Sequence, residues 1–169
     1  DVTLIPEGVC SMKKALLASI LCGVLSLPAV AETLICPDLA TAVKVGVCPT
    51  EDELKYTYTG YCADNARIYK RDNEACLDYK DYRKMKNVAL WESKDGAFHA
   101  YVSCEMPEKQ LRTAKAASVA VMAQGKMTRV VCGYGGEVSC VHRTRAECKA
   151  EAADNCSGKA CAATCETAQ

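Results

Sequence analysis

Cysteine limits this chain before any other residue does. Thirteen cysteines occur in 169 residues, and what they can form depends on the compartment they reach. That compartment is written near the start. From Met12 the chain reads "MKKALLASILCGVLSLPAVAET". Lys13 and Lys14 make a positive n-region, Ala15 to Leu27 an apolar run, and Pro28 to Ala31 a small-x-small cleavage pattern. This is the three-part pattern of a secretory signal peptide, with cleavage expected between Ala31 and Glu32. The apolar run is too short to span a bilayer, which takes about 20 residues. Cys22 lies inside it, but the preceding Leu21 is bulky where a lipid-modified cysteine would follow a small residue, so the later cleavage site is preferred. Residues 1–11 carry Asp1 and Glu7 and no cation, and read as an over-extended gene start. The expected organisation is residues 1–11 as that extension, 12–31 as signal peptide, and 32–169 as a single cysteine-rich mature domain.

Removing Cys10 and Cys22 leaves eleven cysteines in the mature part: Cys36, Cys48, Cys62, Cys76, Cys104, Cys132, Cys140, Cys148, Cys156, Cys161 and Cys165. That density is close to the mark of a disulfide scaffold, and an oxidising compartment lets disulfides persist. All eleven are disulfide candidates. Eleven is odd, so one thiol stays free or pairs between chains, giving a disulfide-linked dimer. A cysteine near one end of the chain is the expected odd one.

The formal charge is zero overall, with 21 cations against 21 anions. This provides no basic footprint for nucleic acid. No apolar segment after residue 31 approaches transmembrane length, so no transmembrane segment is expected after cleavage.

Local patterns predict an α+β fold: an antiparallel sheet of short strands with a few short helices, one of them C-terminal. Thr50-x-x-Glu53 is a capping-box pattern. "KYTYTGYC", Lys55 to Cys62, is rich in Tyr and Thr and predicts a strand. Residues 63–87 predict one or two helical turns. "NVALWES" and "AFHAYVSC" flank Asp95-Gly96 and predict a hairpin. Pro107 to Gly125 predicts a helix, although "SVAVMAQ" within it reads equally well as a buried strand. "KMTRVVCGYGGEVSCVHRT" predicts a second hairpin turning at Gly135-Gly136. With a two-residue loop there, Cys132 and Cys140 would point to opposite faces and take separate partners; a slip of one residue would set them directly opposite. Thr144-x-x-Glu147 and Gly158 bound a predicted helix from Arg145 to Asn155. The expected role of the final segment, with Cys161 and Cys165, is to clamp the C-terminus onto the sheet.

Chemical motifs are scarce. Cys156-x4-Cys161 and Cys161-x3-Cys165 approach zinc-ligand spacing, with His142 upstream, but no Cys-x2-Cys occurs. The same lack removes the thioredoxin-type redox motif. A hydrolase would have to use His99 or His142 as base, and no nucleophile motif accompanies either. "CGYGGE" lacks the Lys-Ser/Thr of a phosphate loop. "NCS" at Asn155 to Ser157 has the glycosylation spacing, discounted because the leader looks bacterial and a cysteine stands in the middle. No cofactor, metal or catalytic residue is assigned. Six of the eight tyrosines lie between Tyr56 and Tyr82. Such rings serve either a core or an interface, and Tyr56, Tyr58, Tyr61, Tyr69 and Trp91 are the candidate binding face. The leading expectation is an exported, disulfide-stabilised envelope or secreted protein, periplasmic or outside the cell, that acts as a non-enzymatic binding module. Its expected partner is another envelope or extracellular protein. The alternatives are a small His-dependent secreted hydrolase and, behind it, a Cys/His metal-binding protein.

Overall fold

A computed structural model describes residues 31–71, 74–151, 156 and 160–166. The expected gene-start extension and nearly all of the signal peptide lie outside the described residues, as do Asn155 and Ser157.

Two antiparallel sheets form the body. The larger has six strands: β2 (Val43–Lys44), β3 (Val88–Glu92), β4 (His99–Ser103), β7 (Ser139–Thr144), β6 (Met127–Gly133) and β5 (Ser118–Gln124), in that spatial order. The smaller places β9 (Ala162–Glu166) between β1 (Ala31–Ile35) and β8 (Glu147–Ala150). The core cluster includes Leu34 and Ala163 of the small sheet and Ala100, Val119 and Val130 of the large one. Leu111 of α4 (Glu108–Thr113) and Leu39, in a single helical turn, belong to it too. Arg112 fastens these two pieces: its guanidinium donates to the carbonyls of Ala40 and Ala42 and lies over the Trp91 ring.

Helices α1 (Glu51–Cys62), α2 (Asn65–Lys70) and α3 (Tyr79–Lys86) form an arm beside the sheets. Its buried residues, Leu54 and Tyr82, are not part of the main core cluster.

Several expectations are corrected. Lys55 to Cys62 is helical, not a strand. The capping box is present: Glu53 N donates to Thr50 Oγ1 and Thr50 N donates to Glu53 Oε2. Three acids in the first turn favour the helix dipole. Thr57 and Thr59 turn their hydroxyls back onto carbonyls four residues earlier, so their β preference is overridden. The helix opened by Pro107 ends at Thr113, and Ser118–Gln124 is the strand. Gly125, read as a helix stop, is instead at the β5–β6 turn with φ +62°. The predicted helix from Arg145 is the strand β8 as far as Ala150; residues 152–155 lie outside the described residues. Pairing with β9 outweighs the helix preference of its Ala and Glu residues. The α+β class holds, with no C-terminal helix among the described residues.

Ten of the eleven cysteines form five disulfides: Cys36–Cys132, Cys48–Cys104, Cys62–Cys76, Cys148–Cys165 and Cys156–Cys161. The first ties the small sheet to the large one, the second ties the arm's entry to the end of β4, and the third closes the arm on itself. The last two hold β9 and the residues before it. Cys140 is the free one, a mid-sheet residue rather than a terminal one. The β6–β7 turn is one residue longer than expected, with Tyr134 N bonded to Val138 O, so Cys132 stands directly opposite Cys140 on the same, buried face. They are not bonded to each other, because Cys132 reaches across to Cys36.

Cys140 is only 3% exposed, so its sulfur is not presented to a second chain in this fold. Burial pushes its thiol up to about 11. The neighbouring Tyr134 hydroxyl spends its one proton on the Pro37 carbonyl, so toward the thiol it can act only as acceptor, which does not help a thiolate. A protonated thiol does not attack a disulfide, which preserves the Cys36–Cys132 bond beside it.

Two outcomes follow. Cys36 and Cys132 close a loop of sequence separation 96, Cys62 and Cys76 one of 14. Loop-closure entropy then makes the double serine variant of the first pair less stable by about 4–5 kcal/mol and that of the second by about 3 kcal/mol. Urea denaturation should return that order, and the reverse order would contradict it. In the chain of residues 32–169, which lacks Cys10 and Cys22, a thiol reagent at pH 8 should titrate no thiol in the native state and one in guanidinium chloride; a full equivalent in the native state would contradict the burial of Cys140.

Candidate binding site

The arm gathers the tyrosines by a helical spacing. Leu54, Tyr58 and Tyr61 recur at i, i+4 and i+7, which puts them on one face of α1. That face meets Tyr79 and Tyr82 of α3. Tyr58 packs edge-on against Tyr79 at 5.3 Å and Tyr82 at 5.1 Å, and Tyr61 lies 5.3 Å from Tyr82. These separations are those of favourable aromatic pairs. The Tyr58 hydroxyl donates to the Cys76 carbonyl, fixing the cluster to the Cys62–Cys76 staple.

Charge locks the outside of the same contact. The Tyr79 hydroxyl donates to Glu51 at 2.9 Å, and Arg83 Nε donates to the other carboxylate oxygen at 3.1 Å. Arg83 also pairs with Glu105. The Tyr79 hydroxyl, and then Arg83, hold the Glu51 carboxyl below its usual range. Arg83 is the hinge pin of the arrangement, joining α1, α3 and the loop after β4.

Between α1, α3 and the segment before α1 lies an open groove of about 610 Å³. Val47, Pro49, Leu54, Tyr61 and Tyr82 give it apolar walls, and Lys86 stands at its side. The Tyr61 ring carries the Arg67 guanidinium at 3.7 Å, with Lys86 Nζ at 5.4 Å. Outside the groove the arm exposes large side chains: Tyr56 is 83% and Tyr69 86% exposed, and Leu77 is similarly bare, as is Val47 on the groove's edge.

The tyrosines of the candidate face therefore divide. Tyr56 and Tyr69 stand in solvent, while Tyr58 and Tyr61 are half-buried in the cluster. Trp91 is buried on β3 in the main core and does not belong to a binding face. Tyr79, Tyr82 and Lys86 were not singled out from the sequence. The spacing of Leu54, Tyr58 and Tyr61 was the signal for a helical face, hidden by the β preference of Tyr and Thr.

The other candidates are placed as follows. His142 Nδ1 donates to the Ala97 carbonyl at 2.7 Å. Burial, and then Arg143, lowers the His99 pKa. Neither imidazole is hydrogen-bonded to a serine, threonine or cysteine hydroxyl or thiol among the described residues. Cys156 and Cys161, the zinc-like pair, are bonded to each other, and no cluster of three metal-ligating side chains occurs among the described residues. "CGYGGE" forms the β6–β7 turn, where Gly135 and Gly136 take φ +80° and +60°. No described helix is long and apolar enough to cross a membrane.

Comparison with known proteins finds no family model, curated protein or solved structure that matches this chain.

Replacing Tyr79 with Phe removes the hydroxyl that does most to hold the Glu51 carboxyl down and should raise the Glu51 titration midpoint toward its ordinary value. Carboxyl carbon NMR across an acid titration measures it. An unchanged midpoint would contradict the hydrogen bond's part in holding Glu51 ionised.

Proposed function

We propose that this chain is an exported, disulfide-stapled binding module, one domain over residues 32–169, that engages another envelope or extracellular protein through its helical arm. It acts in the periplasm or outside the cell, after removal of residues 12–31 as a signal peptide, and it binds rather than catalyses. The observation that carries the reading is the arm itself. Its tyrosine cluster is rigidly pinned by Arg83 and the Cys62–Cys76 bond, yet it leaves Tyr56, Tyr69 and Leu77 bare around an open apolar groove. A rigid surface rich in tyrosine binds at low entropy cost, because two torsions per ring are all that must be fixed. Exposed large apolar groups on a small protein mark interaction surfaces. Five disulfides suit a chain that folds in an oxidising compartment.

The groove takes one or two apolar side chains of a partner, and Tyr56 and Tyr69 cover the surrounding contact. Photo-crosslinking tests this. A benzophenone amino acid placed at position 56 or 69 of the full chain, in its own envelope fraction, should give a discrete crosslinked species. The same probe at Lys126, on the far β5–β6 turn, should not. The species should be lost when Tyr61→Ala opens the groove wall. Identical patterns from all three positions, or no species from 56 and 69, would overturn the reading.

A further inference from the structure

The large sheet has two unlike faces. On β6, Val130 and Cys132 are fully buried, whereas Arg129 and Val131, which alternate with them, are not. On β7, Cys140 is buried, and Val141 and Arg143 turn the other way. On β4, Ala100 and Val102 are buried, while His99 is half-exposed and Tyr101 is 65% exposed. One face therefore packs the core, and the other carries Arg129, Arg143, His99 and Tyr101.

Register brings the cations together. Arg129 stands directly opposite Arg143 across the β6–β7 ladder, and His99 faces Val141 on the strand next to β7. Directly opposed residues on one face have Cβ atoms roughly 5 Å apart, where like charges are destabilising. Such pairs are ordinarily relieved by a carboxylate nearby. Here the ion pairs and side-chain hydrogen bonds of the described residues include neither guanidinium. Arg129 Nε is moreover buried with no hydrogen-bond partner, the only such side-chain atom among the described residues. A buried guanidinium nitrogen without an acceptor is costly, and the sheet places a second guanidinium, rather than a carboxylate, beside it.

We propose that Arg129 and Arg143, with His99 diagonal to Arg143, form a binding site for a phosphate group on the open face of the large sheet. Two adjacent guanidinium forks call for a ligand with more than two acceptor oxygens and more than one unit of negative charge. A carboxylate is satisfied by a single fork, whereas a phosphate offers three or more acceptor oxygens and matches guanidinium geometry. A phosphate monoester carries roughly −1.5 to −2 at pH 7, which balances the pair. The ligand accepts from the guanidinium N–H groups of Arg143 and of Arg129 that face solvent, and its charge offsets the cost of the buried Arg129 Nε. Because this face lies away from the core, it is distinct from the groove of the helical arm, and its failure would leave that reading untouched.

His99 reports occupancy. It faces Glu92 directly across β3–β4, with Arg143, Arg129 and His142 on the neighbouring strands. Of these, Arg143, Arg129 and His142 lower its pKa and Glu92 raises it, with burial the largest lowering influence. A bound phosphate would offset the guanidinium repulsion and raise the His99 midpoint.

The experiment is an imidazole NMR titration of the full chain in chloride, acetate and inorganic phosphate at matched ionic strength. Phosphate should raise the His99 midpoint saturably, above its value in chloride or acetate. Arg129→Gln and Arg143→Gln should each weaken that response roughly tenfold or more, the loss of a charge-assisted hydrogen bond. Each should also raise the thermal midpoint without phosphate, since it relieves a like-charge pair; a purely structural arginine would lower it. Vesicles of phosphatidylglycerol, set against phosphatidylcholine, separate the sources. Retention on the former alone, lost in both variants, identifies a lipid headgroup; a response to free phosphate without retention identifies a small phosphate ligand. An equal midpoint in all three anions without vesicle retention, or variants that lower stability and leave the phosphate response intact, would overturn the site.

Discussion

The bond between Cys36 and Cys132 determines how the rest of the molecule is arranged. It joins the end of the small sheet's first strand to the middle of the large sheet, and the main core lies between the two. Only one tryptophan and one phenylalanine are available to fill that space. A small core of alanine, valine and cystine provides limited apolar burial. The disulfides offset this by restricting the unfolded chain rather than by enlarging the core. The free thiol of Cys140, directly opposite Cys132, is the weak point in that arrangement, and its burial is what keeps it unreactive.

The helical arm is built by a different principle. Its own small core consists of stacked and edge-on tyrosines around Leu54, tied to the sheets through Cys48–Cys104 and through the contact of Arg83 with Glu105. Tyrosine allows this because each ring buries area while keeping a hydroxyl that can be satisfied locally, as Tyr58 and Tyr79 show. The arm can therefore leave other rings in solvent without loosening. Rigidity and exposure are compatible here because different tyrosines supply them.

Legibility in the sequence followed the range of the forces concerned. The capping box at Thr50, the hairpin at Asp95-Gly96 and the glycines of the β6–β7 turn are local signals, and the fold contains all three. The cysteine count indicated a disulfide scaffold, but not its pairing, because cross-sheet contacts such as Cys36 with Cys132 leave no local trace. The alanines and glutamates of the predicted helix from Arg145 to Asn155 favour helix locally, while pairing with a strand near the C-terminus makes Glu147–Ala150 a strand. The opposition of Arg129 and Arg143 depends on a turn of three residues rather than two. A single-residue change in loop length reverses which side chains share a face.

Strand β9 occupies the centre of the small sheet, hydrogen-bonded on one side to the earliest described strand and on the other to β8. The first strand thus has no ladder partner until the last strand has emerged. Pairings of such long sequence separation form slowly. The small sheet therefore cannot close before β9 is available, whereas the six strands of the large sheet can pair without it.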